Sequence, residues 1–112
     1  IAKEYADDED AFSKKIYDVI GAGVGIIESV PAAVSIAYYT QDPNKCCLMC
    51  ANLGGDTDTI GAMATAICGA FVGYSKINPE YTELLRVQNA ETDFEEYINI
   101  LEKGRELLGC GR

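Results

Sequence analysis

The sequence predicts an all-α protein. Three observations carry this: apolar residues recur at helical spacing, cap-plus-proline pairs punctuate the chain, and glycines sit where helices would stop. The 112 residues are 48% hydrophobic, 9% aromatic and 24% charged, a composition suited to one small globular unit or a piece of a larger one.

The first helix follows the acidic stretch Asp7–Asp10, which suits a helix N-terminus, and runs on Phe12, Ile16, Val19 and Ile20. Gly21, Gly23 and Gly25 break it. Ser29-Val30-Pro31 reads as a cap with proline in the first turn, opening a helix to about Tyr39. Asp42-Pro43 repeats the pattern for a helix to about Leu53, and Gly54-Gly55 interrupts. A long apolar helix is expected from about Thr57 to Tyr74, central and buried. Asn78-Pro79 opens a short helix through Arg86. Thr92 and Glu95 fit a capping box ahead of Phe94, Ile98, Leu101 and Leu108, and Gly109 ends that helix. In the long helix Gly61, Thr65, Gly69 and Gly73 recur every four residues, which predicts close approach of a neighbouring backbone.

Charge narrows the function. Nine Lys and Arg against eighteen Asp and Glu give a net charge of −9, which argues against nucleic-acid and membrane-surface partners. With no His, triads built on His, His-ligated zinc and an imidazole switch are excluded. Ile60–Ser75, the longest nearly uncharged run, is shorter than the ~20 residues of a membrane span. The N-terminal Ile-Ala-Lys-Glu-Tyr does not read as a signal peptide, and its start at Ile1 suggests a processed or excised piece. Five Cys, at 46, 47, 50, 68 and 110, are an odd number in mostly apolar surroundings. They read as reduced thiols of a cytoplasmic protein, with redox or metal use of Cys47-Leu-Met-Cys50 the alternative.

Two motifs carry chemistry. Val19-Ile20-Gly21-Ala22-Gly23-Val24-Gly25 resembles the start of a dinucleotide fingerprint, with β-branched residues and Asp42 after it. Ile26 stands at the third glycine position, however, and the preceding residues have helical period. A glycine loop approaching a ligand or another helix is the alternative.

The stronger motif is Gly54-Gly55-Asp56-Thr57-Asp58-Thr59. Only five charged residues lie between Ala22 and Ser75: Glu28, Asp42, Lys45, Asp56 and Asp58. Two carboxylates and two hydroxyls at the opening of an apolar helix can cap it. They are also hard oxygen donors for Mg²⁺ or Ca²⁺. Spacing alone leaves both readings open.

Gly54-Gly55-Asp56-Thr57-Asp58-Thr59 and the small-residue helix after it resemble the C-terminal signature of the ADP-ribosylglycohydrolases. Gly21-Ala22-Gly23-Val24 and Glu28-Ser29-Val30-Pro31-Ala32-Ala33 match upstream. The resemblance covers about residues 16–108, and its Glu-Ser-Val-Pro form is most similar to the ADP-ribosyl-serine hydrolase branch.

The resemblance implies the C-terminal portion of an orthogonal helix bundle, with residues 1–112 forming part of one domain. It implies hydrolysis of the glycosidic bond between ADP-ribose and a protein side chain or small acceptor, at a centre of two Mg²⁺ ions. Asp56, Asp58 and Thr59 are then metal ligands, and Gly23 and Val24 line the substrate site. The remaining ligands and the general base belong to an N-terminal part of the same fold, absent here, so these 112 residues alone are expected to be inactive. ADP-ribose or ADP-ribosylated protein and that missing part are the implied partners. A non-catalytic, crystallin-like family member and a small redox or dinucleotide-binding module are the alternatives.

Overall fold

A computed structural model describes residues 2–109, and every regular element among them is helical. The chain forms two compact units, one through Ile77 and one from Asn78.

The first unit holds α1 (Glu9–Lys15), α2 (Ile26–Thr40), α3 (Pro43–Leu53) and α4 (Thr57–Val72). Asp8 caps α1, its carboxylate accepting from the Ala11 N–H at 2.9 Å. The helix passes into a π turn over Ile16–Ile20, where the Gly21 N–H reaches the Ile16 carbonyl five residues back. The wider turn shifts the apolar phase. Phe12 and Ile16 are buried and Ile20 packs on the core, while Val19, expected on the same face, is exposed.

The expected start of α2 is corrected. The helix opens at Ile26, with Gly25 as N-cap, and the N–H groups of Glu28 and Ser29 both donate to the Gly25 carbonyl. Pro31 therefore lies inside the helix, and Ser29 is a buried residue of its inner face. Pro31 is the sixth residue of the helix, past the first turn, so its missing N–H leaves one i−4 carbonyl, that of Ile27, without its helical donor. Residues 34–40, the segment a dinucleotide fold would need as a strand, belong to this helix. The dinucleotide-fold reading fails there.

Asp42 caps α3 as expected, accepting from the Asn44 N–H at 2.8 Å, with Pro43 in the first turn. α4 packs against α2 and α3 through Ile60, Ala64 and Cys68, which repeat every four residues and are all buried. It ends at Val72, two residues short of expectation, because Gly73 takes φ +89 and a short 3₁₀ turn follows over Tyr74–Lys76.

Nor is α4 buried all round. Ile67 and Phe71 are exposed, and with Val34 and Tyr38 of α2 they line an open apolar groove. Among the described residues the glycine stripe meets no neighbouring backbone closely, contrary to expectation. A Cβ on Gly61 would stand 3.4 Å from the Cys50 Cβ, whereas one on Gly69 or Gly73 would meet nothing within 4 Å.

Cys46, Cys50 and Cys68 are buried between α3 and α4, and Cys47 is exposed, so the Cys47/Cys50 pair is divided between solvent and core. Cys46 keeps its proton: the hydrogen bond it makes to Cys50, then burial, push its pKa up. That same bond lowers Cys50. These thiols serve as core residues. Cys110 lies outside the described residues.

The second unit contains α5 (Pro79–Gln88) and α6 (Phe94–Leu107). Asn78 caps α5, accepting from the Glu80 N–H at 3.0 Å. The expected capping box shifts by one residue. Asp93, not Thr92, caps α6 by accepting from the Glu96 N–H, and the Thr92 hydroxyl donates to the Asn89 carbonyl. Glu95 is instead bonded to Arg86 of α5 at 2.7 Å. Phe94 and Ile98 are half-buried, while Leu101 and Leu108 are exposed.

Candidate metal and ligand site

The site lies where the glycine loop meets the start of α4. Gly54 and Gly55 take φ +86 and +72, conformations that favour glycine, and reverse the chain after α3. The turn brings the backbone N–H of Asp56 to the Ala22 carbonyl at 2.7 Å. Contact there is so close that a Cβ on Gly55 would stand 2.2 Å from the Ala22 oxygen. The two motifs are thus joined by backbone, and Asp56, Asp58 and Thr59 share one corner of the fold with residues 21–25.

Asp56 occupies the N-cap of α4, yet its side chain makes no capping hydrogen bond. The N-cap side chains of α1, α3, α5 and α6 all do. The Asp56 side chain instead lies beside that of Asp58. That contact, followed by the backbone N–H groups of Thr59 and Asp58, holds the Asp58 carboxyl below the usual carboxylate range. Asp56 is half-buried, while Asp58 and Thr59 are exposed. Two adjacent carboxylates and a hydroxyl form a hard-oxygen donor set of the kind Mg²⁺ takes. The set is short by itself: among the described residues, no three His, Cys, Asp or Glu side chains converge as metal ligands.

Gly23 is half-buried and Val24 is 82% exposed. The Gly23 N–H is engaged by Glu28, whose Oε2 accepts it at 2.7 Å. Val24 stands clear of the core and is free to contact a ligand.

Two residues of the site, Glu28 and Tyr17, were given no role from the sequence. Glu28 folds back over the glycine loop, and a Cβ on Gly21 or Gly23 would lie 2.6 Å from its carboxyl group. The signal for it was its charge, since an acid in a nearly uncharged segment needs a partner. Tyr17 packs its ring edge 3.3 Å from where a Gly54 Cβ would be. Nothing in its spacing announced that, because it depends on the π turn.

With the geometry in place, comparison with known proteins is direct. The family model for ADP-ribosylglycohydrolase matches residues 1–108, and the chain belongs to that family. It is 50% identical over 102 residues to the uncharacterized protein YegU of Escherichia coli (strain K12), covering 90% of this chain and 30% of that relative. It is 35% identical over 86 residues to ADP-ribosylhydrolase ARH3 of Xenopus tropicalis, covering 67% and 25% respectively. Against ADP-ribosylarginine hydrolase Tri1 of Serratia proteamaculans (strain 568) it is 29% identical over 87 residues, covering 78% and 24%. The chain therefore spans less than a third of the length of these relatives. No solved structure matches significantly. Among the described residues, no helix is long and apolar enough to cross a membrane.

Proposed function

We propose that residues 1–112 are the C-terminal part of an ADP-ribosyl hydrolase, and that Asp56, Asp58 and Thr59 supply part of its divalent-metal site. One observation carries this reading: the Asp56 carboxyl group sits at a helix N-cap without making a capping hydrogen bond, beside a second carboxylate. Paired carboxylates repel unless a proton or a cation lies between them, and a divalent cation is the partner that hard-oxygen donors of this kind take. The relatives named as ADP-ribosylhydrolases support the substrate class.

Mg²⁺ is the ion the donor set fits. When bound, it would polarise oxygens of the ribose or of an attacking water. This chain's own contribution is to hold two carboxylates and the Thr59 hydroxyl on a fixed backbone, with the glycine loop presenting Gly23 and Val24 toward the substrate. The remaining ligands and the general base come from elsewhere in a relative-length protein, so the 112 residues alone are inactive. The ADP-ribosyl-serine linkage is the preferred substrate, on the Glu28-Ser29-Val30-Pro31 form, and the protein works in the cytoplasm.

The test is hydrolysis of ADP-ribosyl-serine and ADP-ribosyl-arginine peptides by the whole reading frame that encodes these residues. Asp58→Asn should lower turnover by at least about 10-fold, since even groups behind a metal's ligands are worth about 10–100-fold. Unchanged turnover in the Asn variant would overturn the site assignment.

A further inference from the structure

We propose that Glu28 is a positioning residue for Asp56, acting through the glycine loop between them. The inference rests on the metal reading for its purpose but on separate contacts for its geometry. Glu28 lies in the first turn of α2, and its Oε2 accepts the Gly23 N–H at 2.7 Å, a charge-assisted bond stronger than a neutral one. Its carboxyl group fills the space beside both Gly21 and Gly23, where a Cβ would stand 2.6 Å from it. Those two glycines are therefore the seat of a carboxylate, not a phosphate cradle.

Ala22 lies between them, its side chain buried and its carbonyl fixed on the Asp56 N–H at 2.7 Å. The peptide that Glu28 grips at Gly23 is the one whose carbonyl belongs to Ala22. Gripping its N–H end orients its C=O end, because the peptide unit is planar. The rigid α2 helix is thereby linked to Asp56 through one peptide plane. The Asp56 backbone in turn sets where its carboxylate stands relative to Asp58.

This requires an acceptor at position 28 but not a charge, which separates positioning from a direct role of Glu28 as a metal ligand. The test is water-exchange NMR on the 112-residue chain as wild type, Glu28→Gln and Glu28→Ala, each repeated with Mg²⁺. In Glu28→Ala the amides of Gly23 and Asp56 should lose about 10-fold of their protection, while those of Ile60, Ala64 and Cys68 change less than about 2-fold. Glu28→Gln, which keeps the carbonyl acceptor and the volume, should restore both sites to within about 3-fold of wild type.

Unchanged Asp56 protection in Glu28→Ala would overturn the proposal. So would a parallel loss across α4, which would mark a merely structural residue, or a Gln variant as poor as Ala. The Mg²⁺ arm reads the other question separately. Wild-type protein without a Mg²⁺ response at Asp56 and Asp58 would sink the metal reading and leave the exchange result standing.

Discussion

The Asp56 backbone N–H donates to the Ala22 carbonyl at 2.7 Å, and that bond makes one site of two motifs thirty-odd residues apart. Neither the Gly-rich loop nor the Gly-Gly-Asp turn could hold its conformation as an isolated segment. Together they stop on one another, backbone against backbone, with no room for a side chain between.

Gly55→Ala tests that contact. The new Cβ would stand 2.2 Å from the Ala22 oxygen, at a φ of +72 that alanine rarely adopts. Strain of about 1–3 kcal/mol, plus loss of the Asp56–Ala22 bond at about 1 kcal/mol, should appear as a lower urea midpoint. Gly69→Ala is the control. It meets nothing within 4 Å inside a helix and should raise stability by about 0.5–1 kcal/mol.

The depressed Asp58 fixes a pH dependence. A carboxyl group with a folded pKa below its ordinary value of 3.8 stabilises the fold above that value, and its contribution is lost as pH falls through the folded pKa. Carbon NMR of the side-chain carboxyls should show Asp58 titrating below 3.8, and Asp56→Ala, which removes the neighbouring side-chain donor, should move it back toward 3.8. Titration of Asp58 at its ordinary position in the wild type would contradict the Asp56 contact.

Tyr39 gives the opposite sign at alkaline pH. Its hydroxyl donates to the Tyr5 carbonyl at 2.7 Å, and its ring stacks on Phe12 with centroids 3.8 Å apart. Burial, then Glu9, Asp8 and Asp7, raise its pKa above 10.0. Its contribution is complete below pH 10.0 and is lost as pH rises through the folded value. Ultraviolet titration should show one late tyrosine that vanishes in Tyr39→Phe, at a cost of about 1 kcal/mol in stability.

Much of this was legible in the sequence, for stated physical reasons. Asp42-Pro43 and Asn78-Pro79 mark their helix starts because a cap and a proline act within one turn. Ser29-Val30-Pro31 misled for the same reason: the local signal was present, but the Gly25 carbonyl captured two N–H groups and began the helix earlier. Phase errors such as Val19 come from the π turn, which periodicity cannot foresee. At the site, the motif gave Asp56, Asp58 and Thr59, while Glu28 and Tyr17 depend on contacts formed only on folding. The glycine stripe of α4 was readable as a pattern, yet among the described residues its glycines meet at most an ordinary side-chain contact, that of Gly61 with Cys50.

The most direct test of the account is a Mg²⁺ titration of the 112-residue chain followed by amide and carboxyl NMR, with Asp58→Asn in parallel. Two carboxylates and one hydroxyl fall short of six oxygens, so binding should be weak, on the order of millimolar. Shifts should be confined to Asp56, Asp58, Thr59 and the adjoining Ala22–Gly23 loop, and should be abolished in the Asn variant without loss of fold. Shifts scattered over the acidic surface, or equal in Asp58→Asn, would show that these carboxylates do not hold the ion.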